Sequence, residues 1–251
     1  MAALPSINLP HTANELVGLP GETLTATLRR TIMEMILFGQ FAGEARLYPQ
    51  ELALRFAVSQ TPVREALMQL ASEGLIEATP RRGFHIRTPT QEQVTDLWHV
   101  RSGLEATAAE RIVARLKAGD LSPSDLRPLA AIQDRRERLG PRMATKEHIE
   151  TNAAFHRTLV ELSGNRLLVD LFGSIHQQAI AARVQRGVDS WRTRLAEDAS
   201  EHRDILKGLA RQDLDLCRAT ISAHVGRSLA GALDDLEAQK KKTTVEKGEN
   251  P

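Results

Sequence analysis

The chain has 251 residues, of which 41% are hydrophobic and 26% charged, and its formal net charge is +1. That length suits two modest domains, and the near-neutral balance leaves nucleic-acid binding to a local basic patch rather than to the whole surface. A lone cysteine, Cys217, excludes an intramolecular disulfide and fits a reducing cytoplasm. Residues 1–20 lack the pattern of a signal peptide, and no apolar run approaches the roughly 20 residues of a membrane span, so a cytoplasmic protein without a membrane partner is expected.

Residues 1–20 carry prolines and no periodicity and read as a flexible arm. The first helical pattern runs from Leu24 to Phe38. Leu24, Leu28, Ile32, Met35 and Ile36 fall at spacings of three and four and predict one apolar stripe. A short helix follows over Pro49–Phe56, with Leu52 and Phe56 facing inward. The next spans Thr61–Glu73, with Ser59 or Thr61 as its cap, Val63, Leu67 and Leu70 inside, and Gly74 as its stop. Ile76–Thr79 and Phe84–Arg87 predict a hairpin with Pro80, Arg81, Arg82 and Gly83 at its tip. Thr88, Pro89 and Thr90 read as a linker. Beyond it, helices are expected over Gln91–Lys117, Ser124–Leu139, Thr145–Leu162, Arg166–Arg186, Ser190–Arg211 and Leu214–Glu237, and then an unstructured tail. The expected fold is therefore mainly α: a winged helix-turn-helix over 21–88, a helical bundle of about six helices over 91–237, and a disordered 238–251.

Two short helices joined by a tight turn and followed by a hairpin place the second helix, Thr61–Glu73, in the role of a recognition helix. Gln60, Thr61 and Arg64 at its start can donate to phosphates and base edges, and Arg64 can read guanine by a bidentate contact. Thr61 serves equally well as a cap. Arg81, Arg82 and Arg87 make the hairpin cationic, with no acid between Ala78 and Gln91 to offset them.

In the second half, Asn152 and His156 stand one helical turn apart and share a face. With His202 and His224 they supply three imidazoles and an amide oxygen, a set able to hold a divalent transition metal with positions left open. An open metal position suits a carboxylate. Arg101 can pair with such an anion, or with Glu105 one turn along its own helix. His176 and Arg183, two turns apart, either line the same cavity or make interhelix contacts. His148, one turn before Asn152, is a supporting residue or simply exposed. His85, His99 and Cys217 suggest no role.

Several stretches resemble a known family. Phe41 to Leu47, Glu51-Leu52-Ala53, Val58 to Leu67, Glu73 to Ile76 and Arg81 to Phe84 follow, without a gap, the DNA-binding domain of GntR-type regulators. The resemblance implies that Ser59, Thr61 and Arg64 contact DNA and that Arg82 and Gly83 enter the minor groove. Ala42-Gly43 stands where the family has Pro-Gly. Gln60 stands where it has Arg, which shifts preference toward adenine. Leu97 to Glu105, Asn152 to Leu159, Ser163 to Leu167, Glu201 to Leu206 and His224 are similar to the FCD-type ligand-binding domain of the FadR subfamily. In its metal-binding members an Asp and three His hold the ion. His156, His202 and His224 fall on the His positions, and Asn152 on that of the Asp, where it leaves the site one negative charge short. Zn, Ni and Mn fit equally.

The resemblance implies a homodimer on double-stranded operator DNA, controlled by a small carboxylate effector through a population shift, with repression the commoner arrangement. A metal-free effector pocket is the alternative. A metal-dependent hydrolase lacks a His-Glu-x-x-His helix and a general base beside Asn152 and His156, and it leaves the DNA-binding module unexplained. An enzyme is not expected.

Overall fold

The structure, a computed structural model, describes residues 16, 18–37, 40–41, 46–79, 83–87, 89–140, 145–184 and 195–246. Side chains at 145–146, 183–184, 195 and 239–246 are outside this set. Most of the arm expected over 1–20, the Ala42-Gly43 turn, Arg81 and Arg82 at the hairpin tip, Thr88 of the linker, Gly187 and the end of the tail lie outside the described residues. The chain divides into two compact units, residues 1–89 with 180–185, and residues 90–179 with 186–251.

The first unit is a winged helix-turn-helix. Its elements are α1 (Leu24–Leu37), β1 (Arg46–Leu47), α2 (Pro49–Phe56), α3 (Gln60–Ser72), β2 (Ile76–Thr79) and β3 (Gly83–Ile86). The apolar stripe of α1 is buried at Leu28, Ile32, Met35 and Ile36, whereas Leu24 is exposed. Leu24 opens the helix and has no neighbouring turn to cover it. Leu52 and Phe56 of α2 and Val63, Leu67 and Leu70 of α3 complete the core. The α2–α3 turn passes through Ala57 in the left-handed region, at φ 53° and ψ 44°, and the Val58 N–H returns to the Ala53 carbonyl at 3.0 Å. A left-handed alanine is strained. This hydrogen bond and the inward-facing Phe56 hold it.

The sheet is antiparallel in the order β1-β3-β2, with Ile76 opposite Ile86 and Leu47 opposite Phe84. β1 is too short to show alternation and was not expected from the sequence. Gly83 begins β3 at φ +83°, a conformation that favours glycine over any L side chain.

Among the described residues the second unit is all-helical: α4 (Gln91–Ala118), a 3₁₀ turn (Pro123–Leu126), α5 (Arg127–Leu139), α6 (Thr145–Leu162), α7 (Arg166–Val184, of which 180–184 fall in the first unit), α8 (Leu195–Ala210) and α9 (Leu214–Glu246). Thr90, read as linker, caps α4 in a reciprocal box: its Oγ1 accepts from the Gln93 N–H at 3.2 Å while Gln93 Oε1 accepts from the Thr90 N–H at 3.0 Å. Ser122 and Asp125 form a similar box around Pro123, which tightens the expected start of the α5 segment into a 3₁₀ turn.

α9 runs past Glu237, where its apolar pattern ends, to Glu246, so most of the segment expected to be unstructured is helical. Ala, Gln and Lys are good helix formers, and no glycine or proline intervenes before Gly248.

Long α4 packs on α6 and α9, α5 packs on α6 and α8, and α8 packs on α9. Val94, Trp98, Ile112, Phe155, Leu159, Ile205, Leu209, Ile221 and Val225 are buried. Trp98 Nε1 donates to Ser228 Oγ at 3.1 Å, tying α4 to α9. Among the described residues, no helix is long and apolar enough to cross a membrane.

The α8–α9 hairpin is tight. A Cβ built on Gly208 meets Cys217 Sγ at 2.8 Å, its backbone N at 3.2 Å and its Cα at 3.4 Å. Alanine in a helix is worth about 1 kcal/mol over glycine, but here the methyl group must push the two helix backbones apart. Gly208→Ala is expected to destabilise the protein by about 1–3 kcal/mol, measured by urea unfolding. A stabilised variant would show that the helices part freely.

Candidate metal centre and nucleic-acid interface

Four helices of the second unit bring polar side chains into their shared interior. His156 comes from α6, His202 from α8 and His224 from α9, and each is buried. His156 Nε2 lies 3.2 Å from both His202 Nε2 and His224 Nε2. The donor atoms of the three rings are all within 4.8 Å of one another. Phe155 stacks on His202 with ring centres 4.0 Å apart and an interplanar angle of 4°, fixing that ring.

Two carboxylates decide the chemistry. His156 Nδ1 donates to Glu105 Oε2 at 3.0 Å, and His224 Nδ1 donates to Glu201 Oε2 at 2.6 Å. Each carboxylate only accepts, so each holds a hydrogen on Nδ1 of its imidazole, and a neutral ring so held presents Nε2 as a lone pair. Glu105 is itself fixed by Arg101 Nε at 2.7 Å, and Glu201 by Arg227 Nε. The result is converging nitrogen lone pairs backed by carboxylates, the arrangement that orients histidines toward a metal. The donor set fits a divalent transition metal, with His156, His202 and His224 as the residues that would hold it. Asp198, Glu201 and His224 form a second grouping within 4.8 Å, but there Glu201 Oε2 is already committed to His224 Nδ1.

Burial keeps the imidazoles ready to bind. Burial first, and then the charge of Arg101, hold His156 well below the ordinary histidine value. Burial and then the charge of Arg136 do the same to His202. Burial pushes His176 down to about 3. Burial opposes the charge on Glu201, yet the bonds from His224 and Arg227 hold it below the usual carboxylate range.

The other residues singled out in the sequence divide. Asn152 is buried one turn before His156, and its Oδ1 accepts from Arg136 Nη1 at 3.1 Å. Arg101 makes its ion pair with Glu105, yet its Nη2 is buried with no hydrogen-bond partner among the described residues. His176 is buried against Phe172, 5.7 Å from His156 between ring centres, and neither ring nitrogen has a hydrogen-bond partner among the described residues. The Arg183 side chain lies outside the described residues. His148 is buried rather than exposed, with Nε2 3.9 Å from Asp198 Oδ2.

Glu201, Asp198 and Arg136 were not anticipated, and Glu105 only as a partner for Arg101. A sequence signal existed for Glu201, an acid directly before His202. There was none for Arg136, which lies in a charged run that reads as a solvated face.

In the first unit, Ser59 is the N-cap of α3 but makes no side-chain capping bond. Ser59, Gln60, Thr61 and Arg64 are all exposed, and no protein hydrogen bond or ion pair engages their side chains among the described residues. The helix N-terminus adds its own attraction for phosphate. Arg82 lies outside the described residues. Gly83 stands at the start of β3. Arg87 differs from expectation: its Nε lies 3.6 Å from Glu77 Oε1, while His85 Nε2 lies 3.1 Å from Glu77 Oε2. The offsetting acid comes from the facing strand, where Glu77 pairs with His85.

The pH dependence of the metal-free protein follows from the histidines. Once unfolded, His156, His176 and His202 protonate as pH falls through the ordinary 6.5; in the folded state they do not. The unfolded state then binds more protons, so stability is retained above pH 6.5 and lost below it. The expected loss approaches about 1.4 kcal/mol per pH unit for each such histidine. Urea unfolding of chelator-treated protein between pH 7.5 and 5.5 checks this, and a flat profile would mean that the rings titrate while folded.

Comparison with known proteins places this geometry. Residues 24–86 match the family described as bacterial regulatory proteins, gntR family, and residues 96–227 match the FCD domain. The Nta operon transcriptional regulator of Aminobacter aminovorans is 31% identical over 185 residues, covering 74% of this chain and 83% of that protein. The HTH-type transcriptional repressor RspR of Escherichia coli is 26% identical over 198 residues, covering 79% and 82%. Among solved structures, McbR/YncC of E. coli shares the fold with a TM-score of 0.74 at 20% identity, covering 86% of this chain and 99% of that one. The matched domains and curated relatives are transcriptional regulators, not enzymes. The chain belongs to the GntR family of bacterial regulatory proteins, among those members whose winged helix-turn-helix is followed by an FCD domain.

Proposed function

We propose that the protein is an operator-binding repressor whose affinity for DNA is set by a small carboxylate held beside a divalent metal in the helical domain. The observation that carries the effector half is the convergence of three Nε2 atoms, two of them on rings whose Nδ1–H is held by Glu105 or Glu201. Lone pairs this close repel unless a cation lies among them. This favours a metal-bound pocket over a metal-free one. His156, His202 and His224 are the ligands in this reading, and Zn, Ni and Mn all suit the set. Asn152, whose carbonyl oxygen accepts from Arg136, would be the further residue to hold the ion.

The bound ion supplies positive charge and an open coordination position. The chain's own residues do the rest. Arg101 Nη2 donates to the effector carboxylate, His176 lines the cavity, and the buried surroundings exclude water, which strengthens each charge-assisted bond.

The DNA-binding half rests on the N-terminal end of α3. Arg64 reads a base, Ser59 and Thr61 contact phosphate, Gln60 favours adenine, and Arg82 and Gly83 form the tip that enters the minor groove. With residues 21–88 as the DNA-binding module and 91–237 as the effector domain, two copies of the chain place their recognition helices about one DNA turn apart on a near-palindromic operator. The effector alters operator affinity by the difference between its own affinities for the DNA-competent and incompetent states. A cytoplasmic location follows from this role.

Arg64→Ala is expected to weaken binding to a fragment of the protein's own promoter region by about 1–3 kcal/mol, roughly 5- to 150-fold, in a fluorescence anisotropy titration at fixed salt. The melting temperature should not change, because Arg64 is exposed. Unchanged affinity would remove α3 from the interface.

A further inference from the structure

Arg136 is a buried cation to which no carboxylate among the described residues is hydrogen-bonded. It is 3% exposed on α5, and its Nη1 donates to the neutral Asn152 Oδ1. Its Nε has no hydrogen-bond partner among the described residues. Asp198 is near enough for its charge to act on Arg136, but no hydrogen bond from the guanidinium reaches it. Burial lowers the guanidinium only to about 10, so it stays charged at neutral pH. A guanidinium taken from water and left part-unbonded is costly unless something completes it.

Arg101 presents the same incomplete state elsewhere in the cluster. It is 4% exposed, its Nε is spent on Glu105, and its Nη2 is left over. The two arginines come from different helices, α4 and α5, both of which pack on α6. Arg101 acts most on His156 and His176, and Arg136 on His202.

A single carboxylate can complete only one of the two arginines.

We propose that the effector is a dicarboxylate, one carboxylate meeting the open metal position and Arg101 Nη2, the other meeting the unpartnered Nε of Arg136. This rests on the metal-and-carboxylate reading above. Each end then makes charge-assisted bonds to a fixed donor, and the guanidinium fork gives the second end its directional specificity.

The test measures binding to full-length protein by calorimetry and melting temperature, using succinate, glutarate and adipate. Each is compared with its own monomethyl ester, which removes one charge and keeps the length, and with butyrate, valerate and hexanoate. At least one diacid should bind about tenfold or more tightly than its half-ester to untreated protein, and this binding should be lost after chelation and restored by zinc. Arg136→Gln should erase the preference for the diacid while leaving zinc content and half-ester binding in place. Because the diacid against half-ester comparison is made on the natural protein, a variant that fails to fold does not block it. Equal affinity for diacids and half-esters, with chelation abolishing both, would overturn the dicarboxylate and leave the metal-carboxylate pocket standing. Binding of neither, with chelation without effect, would overturn both.

Discussion

Three imidazole nitrogens face one another inside the helical domain, and two of them belong to rings whose Nδ1–H is held by a carboxylate. Everything around them bears on that constraint. Glu105 and Glu201 create it by accepting hydrogen bonds from Nδ1 of His156 and His224. Arg101 and Arg227 in turn hold those carboxylates. Phe155 fixes the plane of His202. A helical bundle could be closed far more cheaply with leucines at these positions. The interior is instead charged and hydrogen-bonded, and its donor set suits a divalent transition metal.

The two units meet different physical demands. In the winged unit a continuous apolar core of α1, α2, α3 and the small sheet leaves one polar end of α3 exposed and uncommitted. That is what a surface for phosphates and base edges requires. In the helical unit the apolar residues close the bundle while the chemistry lies within it, and desolvation lowers the basicity of the imidazoles so that protons do not compete with a metal. The exposed face thus suits a large polyanion, and the interior a small one.

Most of the fold was legible because it rests on periodicity and punctuation. Pro49 and Phe56 bound α2 as expected, and Thr145 and Leu162 bound α6. The misses have local causes. Two residues of β1 carry no alternation. Leu24 fits the stripe of α1 but lies at its uncovered end. The lysine-rich segment after Glu237 lacks an apolar face yet has the propensity to continue a helix. Of the candidate site, spacing and resemblance brought out the histidines, Asn152 and Arg101. Spacing could not reveal that Glu105 bonds Arg101 and His156 together, because the second contact spans two helices distant in sequence. Nor could it reveal that Arg136 turns inward, since the charges around it give α5 the look of a solvated helix.

Metal content per chain decides whether the converging nitrogens do what their geometry suits. Protein dialysed against trace zinc, nickel or manganese should retain one divalent ion per chain by mass spectrometry. His156→Ala should lose it while α-helical content by circular dichroism is kept. If the natural chain holds no ion in stoichiometric amount with any of the three metals, the lone pairs are reconciled some other way, and the metal-centred account fails.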